Sequence, residues 1–74
     1  MLVLHTARFE VGIHDDRKHG WFEHGSYGDE YGGGLWFEND VLVDYDGISG
    51  YLPKEVLNAL EANGFDVEDM RPCN

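Results

Sequence analysis

Along residues 2–13 the apolar side chains Val3, Ala7, Phe9, Val11 and Ile13 fall on odd positions, interrupted only by His5. The even positions begin apolar at Leu2 and Leu4 and turn polar from Thr6 onward. A period of two predicts one half-buried strand, with a bend or bulge at Gly12 because about twelve residues exceeds the usual five or six. Residues 14–20 are a polar connection, and Trp21-Phe22-Glu23-His24 opens a second strand. Residues 25–34 hold five of the ten glycines and show no periodicity, which predicts a loop.

The clearest strand signal spans residues 34–47. Leu, Trp, Phe, Val and Tyr fill two arms joined at Asn39-Asp40, a pair that tolerates the positive φ of a tight hairpin turn. Alternation within the arms predicts Leu35, Phe37, Val41, Val43 and Tyr45 on the buried face. Trp-Phe-Glu occurs at both 21–23 and 36–38, as if two strands solve one packing problem in the same way. After a turn at Gly47-Ile48-Ser49-Gly50 comes a helix over about residues 53–63. Pro53 suits its first turn, Leu52, Val56, Leu57 and Leu60 make its apolar stripe, and Asn63-Gly64 stops it. Glu55, Asn58 and Glu61 are expected to face water. Phe65 and Val67 should fold back onto the helix or add a short edge strand, and residues 70–74 should fray. The pattern predicts a single α+β domain, an antiparallel sheet of about four strands with one C-terminal helix packed on a face.

Charge changes this picture more than composition does. Ten aromatic residues suffice to close a small core, but fifteen acids against five bases leave a net charge of −10. Residues 19–70 hold twelve of those acids and one base, Lys54, a net −11. Such a field repels nucleic acid and anionic membranes, attracts basic surfaces and keeps a small domain monomeric. The single cysteine, Cys73, excludes an internal disulfide and a zinc ribbon. No apolar run approaches the roughly 20 residues of a membrane span, and residues 1–5 lack the basic start of a signal peptide, so a cytoplasmic location is expected.

Motifs for chemistry are weak. Asp44, Asp46 and Glu55 occupy positions 1, 3 and 12 of a calcium loop, but Ile48 and Ser49 fall at positions 5 and 6, where such a loop needs an oxygen ligand and glycine. His5, His14, His19 and His24 have no recognised ligand spacing. Gly32-Gly33-Gly34 is not followed by Lys-Ser/Thr, and His24-Gly25-Ser26 lacks a strand-turn-helix elbow. No enzyme activity, metal or cofactor is expected.

The acids therefore carry the functional expectation. Alternate acids on a strand supply one charge per ~6.8 Å, against one per ~3.4 Å along a DNA strand, so one strand alone is too sparse to imitate DNA. Mimicry needs several elements together: Glu38, Asp40, Asp44 and Asp46 on the hairpin, Glu55 and Glu61 on the helix, and Asp66, Glu68 and Asp69 in the tail. Trp36 and Tyr45 are the candidate aromatic anchors.

In size, charge, compact α+β plan and the helix opening Leu52-Pro53-Lys54-Glu55-Val56-Leu57, the whole chain resembles the small acidic anti-CRISPR inhibitors of phages. The resemblance implies a non-enzymatic inhibitor in the host bacterial cytoplasm. It would bind a CRISPR effector complex at a basic surface meant for nucleic acid. A small protein-interaction or toxin-neutralising module, using a sheet edge or an aromatic patch, is the alternative.

Overall fold

A computed structural model describes residues 1–26, 28–47 and 52–71, and their side chains except at 28–31. Five strands, β1 (Leu2–His5), β2 (Phe9–Ile13), β3 (His19–His24), β4 (Gly28–Glu38) and β5 (Val41–Gly47), form one sheet in sequential order. All neighbouring strands are antiparallel. Helix α1 (Lys54–Ala62) and a short 3-10 turn (Glu68–Met70) follow. The fold is α+β, with five strands rather than the four expected.

The extra strand arises because residues 2–13 fold back on themselves. Thr6 N–H donates to the Phe9 carbonyl at 2.8 Å, and Thr6 Oγ1 accepts from Phe9 N–H at 2.8 Å and Arg8 N–H at 3.3 Å. This hydroxyl-built turn reverses the chain. It also breaks the odd-position row: Leu4 packs against the core while Val3 is 41% exposed. Gly12 makes no bend; it pairs with Val3 on one side and Trp21 on the other.

The glycine-rich stretch expected as a loop is largely strand β4. Its glycines serve close approach rather than flexibility. A Cβ on Gly33 would lie 1.6 Å from the Asp46 carbonyl oxygen, so β4 and β5 can meet there only without a side chain.

At the β4–β5 turn Asn39 and Asp40 take φ of 51° and 63°, the left-handed pair a two-residue hairpin needs. Beyond it the register shifts: Trp36 faces Asp44 but Phe37 faces Leu42, leaving Val43 as the extra residue of a bulge. Leu42 therefore takes the core position at 0% exposure, and Val43, expected inside, is 40% exposed. Tyr45 returns to the inner face and packs against the core.

Helix α1 buries Val56, Leu57 and Leu60 against the inner face, with Pro53 as N-cap. Its end is a Schellman motif: Phe65 N–H donates to the Leu60 carbonyl, Gly64 N–H to that of Glu61, and Gly64 takes φ +91°. The motif turns Phe65 into the core, where its ring centroid lies 4.8 Å from that of Phe37. Asp66 then bridges in parallel to β5, with Leu42 N–H to Asp66 O and Asp66 N–H to Asp40 O both 2.8 Å. Phe65 and Val67 are buried as expected, though the added pairing is a single bridge. The expected turn at Ile48-Ser49-Gly50 and the fraying at 72–74 lie outside the described residues, but at 70–71 the chain does not fray: Met70 packs against the core and Arg71 is held by Asn58 and Glu61.

The close approach at Gly33 has a measurable consequence. Gly33→Ala should cost about 3 kcal/mol or more, because backbone rather than a movable side chain must yield. At Gly25 a Cβ would sit 3.5 Å from the Arg8 carbonyl oxygen, an ordinary contact, and Gly25→Ala should stay within about 0.5 kcal/mol. Urea unfolding of the two variants checks this; equal stabilities would refute the tight β4–β5 packing.

Candidate functional site

The helix covers one face of the sheet. Strand pairing arranges the other face in rows. One row runs Val3, Gly12, Trp21, Gly34, Asp46; a second runs His19, Trp36, Asp44; a third runs His5, Glu10, Glu23. Their chain neighbours Val11, Ile13, Phe22, Leu35 and Phe37 are buried in the core, which directs these rows outward.

Both tryptophans lie over glycines on this outer face. A Cβ on Gly12 would fall 2.3 Å from Cε2 of Trp21, and one on Gly34 would fall 2.9 Å from Cη2 of Trp36. Each indole thus rests on bare backbone, and Trp36 still keeps 39% of its surface exposed. The repeated Trp-Phe-Glu has its explanation here. In both copies phenylalanine enters the core at 2% exposure, and tryptophan lies on the outer face over a glycine.

Beside Trp36 is an open groove of about 690 Å³, lined by Lys18, His19, Trp36, Phe37, Glu38, Asn39, Val43 and Asp44. The bulge opens it by placing Val43 and Asp44 both toward solvent. Asp44 Oδ1 accepts from Tyr45 N–H at 2.8 Å, which orients the carboxylate. His19 Nδ1 is 2.9 Å from Asp16 Oδ2. Asp16 also accepts from Lys18 N–H at 2.8 Å and His19 N–H at 3.3 Å. The Lys18 amide above all, then the His19 ring, holds the Asp16 carboxyl down at about 2.

The acids expected to act together do not share one surface. Glu38, Asp44 and Asp46 lie on the outer face with Trp36, whereas Tyr45 points the other way. Asp40 binds Arg17, with Nε 3.0 Å from Oδ1, and Arg17 in turn lies 4.6 Å from the Phe65 ring centroid. Glu61 and Glu68 flank Arg71 at 3.4 and 3.9 Å. Asp66 Oδ1 accepts from Glu68 N–H at 3.0 Å, and Asp69 is exposed in the 3-10 turn. Glu55 departs furthest from expectation, because it ties the helix to the β1–β2 turn instead of facing water. It accepts from the Thr6 hydroxyl at 2.7 Å, from Arg8 N–H at 3.2 Å and from the Arg8 guanidinium.

Trp21, Glu10 and Glu23 join the outer face without having been singled out by charge counting. The one sequence signal for Trp21 was the repeated tripeptide. Glu10 and Glu23 stand directly opposite each other on β2 and β3, with His5 Nδ1 3.8 Å from Glu10.

Among the described residues no group of three or more His, Cys, Asp or Glu is placed to hold a metal ion. Nor is any helix among them long and apolar enough to cross a membrane. Comparison of the chain with protein-family models, curated proteins and solved structures yields no match.

The carboxylate links set the acid sensitivity of the fold. The Thr6 hydroxyl first, then Arg8, lowers the Glu55 carboxyl below its ordinary 4.5. A carboxyl more acidic folded than unfolded stabilises fully above its unfolded value and loses that contribution as pH falls. Melting temperature should therefore decline once pH drops below about 4.5, with the smaller contribution of half-exposed Asp16 lost between 3.8 and about 2. Glu55→Gln should melt several degrees lower at pH 7 and show a flatter decline below 4.5. A melting curve against pH identical to the parent's would show that the Glu55 link contributes nothing.

Proposed function

We propose that this chain is a non-enzymatic binding protein that covers a basic protein surface with the outer face of its sheet. The observation that carries the reading is the pairing of two outer-face indoles with acids on a face that none of the described residues covers. Trp36 and Val43 are open to solvent, Trp21 lies over Gly12, and Glu10, Glu23, Glu38, Asp44 and Asp46 stand around them. Rigid aromatic centres ringed by charge match the anatomy of binding hot spots. Two acids directly opposite on neighbouring strands, as at Glu10 and Glu23, are unfavourable for an isolated sheet, and a cationic partner relieves that repulsion.

The field of a chain with net charge −10 steers such a partner in and disfavours direct nucleic-acid binding. Surfaces built to hold nucleic acid are basic surfaces of this kind. The resemblance to anti-CRISPR inhibitors puts a CRISPR effector complex first among them. On this reading the contact is the sheet face rather than an extended DNA-like array, since Asp40, Glu55, Glu61 and Glu68 are engaged in internal pairs elsewhere. A second reading is favoured by the same exposed Trp36 and Val43, namely an aromatic patch binding a partner of any charge.

The test is DNA binding by a purified type I surveillance complex with and without this protein. Inhibition should weaken at about 0.5 M NaCl, where the Debye length falls to ~4 Å. Reversing Asp44 and Asp46 to lysine should weaken it at least about tenfold, or 1.4 kcal/mol, with the fold confirmed by circular dichroism. Inhibition insensitive to salt and to both reversals would favour the aromatic-patch reading. No inhibition at any salt would remove the CRISPR assignment.

A further inference from the structure

We infer that the groove beside Trp36 is a receptor for an arginine side chain, its guanidinium stacked on the indole and paired with the Asp44 carboxylate. The inference rests on the proposal that the outer face docks a basic surface, and it names the group recognised there.

One feature points to guanidinium rather than cations in general, and two more to a cation at this place. Trp36 lies over Gly34, so its ring is laid along the sheet, and 39% of the residue remains exposed. A flat, exposed indole offers a stacking surface that a planar, weakly hydrated guanidinium uses better than a compact, strongly hydrated ammonium. Asp44 is the direct cross-strand neighbour of Trp36, and both line the groove. One of its oxygens is already fixed by the Tyr45 amide at 2.8 Å, so the carboxylate is oriented before a ligand arrives. Pre-orientation of this kind lowers the ordering cost of a charge-assisted pair.

The groove is several times larger than one arginine side chain, so it admits the guanidinium together with the surface that carries it. Its volume of about 690 Å³ is open at the surface, with Val43 beside Asp44 to cover the aliphatic stem of an arginine. His19 and Lys18 form the opposite wall on the β3 side. The His19 ring is held by Asp16 at 2.9 Å. Lys18 makes no ion pair among the described residues, and its charge confines an incoming guanidinium to the Asp44 side. Cation, ring and carboxylate thus have defined places.

The experiment follows the two indole N–H signals by NMR, assigned with Trp21→Phe and Trp36→Phe, while the protein is titrated at low salt. The probes are a capped peptide carrying several Arg-Gly-Gly repeats and its Lys-Gly-Gly counterpart. The Trp36 signal should shift, the arginine peptide should bind about three- to tenfold more tightly than the lysine peptide, and Asp44→Asn should weaken it by a similar factor. Asparagine retains an oxygen for the Tyr45 amide, so this variant removes the charge while the fold persists, as an unmoved Trp21 signal would verify. Equal binding of both peptides with an unmoved Trp36 signal overturns the arginine site but leaves the basic-partner reading standing. No binding of either peptide by the parent protein overturns both.

Discussion

A nine-residue helix is about 13.5 Å long, while five strands spaced about 4.8 Å apart spread across some 19 Å. One such helix can cover one face of the sheet and no more. Everything else in the molecule answers to that limit. The apolar residues of β2, β3, β4 and β5 that face the helix, together with Leu52, Phe65 and Val67, make one core. Among the described residues no second layer covers the opposite face, which has to be stable against water.

Tryptophan over glycine meets that requirement. An indole laid on Gly12 or Gly34 shields backbone and cross-strand hydrogen bonds and fills the place a neighbouring side chain would occupy. The cost is exposed aromatic surface, tolerable in a strongly acidic chain because like charge opposes self-association. The arrangement that stabilises this face is also the one that the proposed function assigns to an oppositely charged partner.

The acids divide between two tasks for the same reason. Where the chain must be held in place without more core, carboxylates do it: Glu55 fastens α1 to the β1–β2 turn, and Asp16 and Asp40 fix the β2–β3 connection. The acids on the outer face have fewer internal partners. Glu23, Glu38 and Asp46 make no ion pair among the described residues, and Asp44 bonds the adjacent amide alone among them. Charge unsatisfied within the fold is concentrated where the indoles are.

Local signals sufficed for the helix with its stop at Asn63-Gly64, for the hairpin turn at Asn39-Asp40, and for the inward set Phe9, Val11, Ile13, Leu35, Phe37, Val56, Leu57 and Leu60. These depend on turn chemistry and on period, which act over a few residues. Four features did not, because each depends on which segments pair or on what lies beneath a side chain. The reversal at Thr6 is completed by Glu55, 49 residues away. The bulge at Val43 is a register between two strands, invisible in the alternation of either. The glycine-rich stretch became strand because Asp46 approaches Gly33, and Trp21 and Trp36 face outward because Gly12 and Gly34 leave room beneath them. Net charge, too, was legible from composition, but its distribution was not. Sequence by itself determined that the protein is acidic, small and α+β; tertiary pairing alone decided which acids are held internally and which share a face with the indoles.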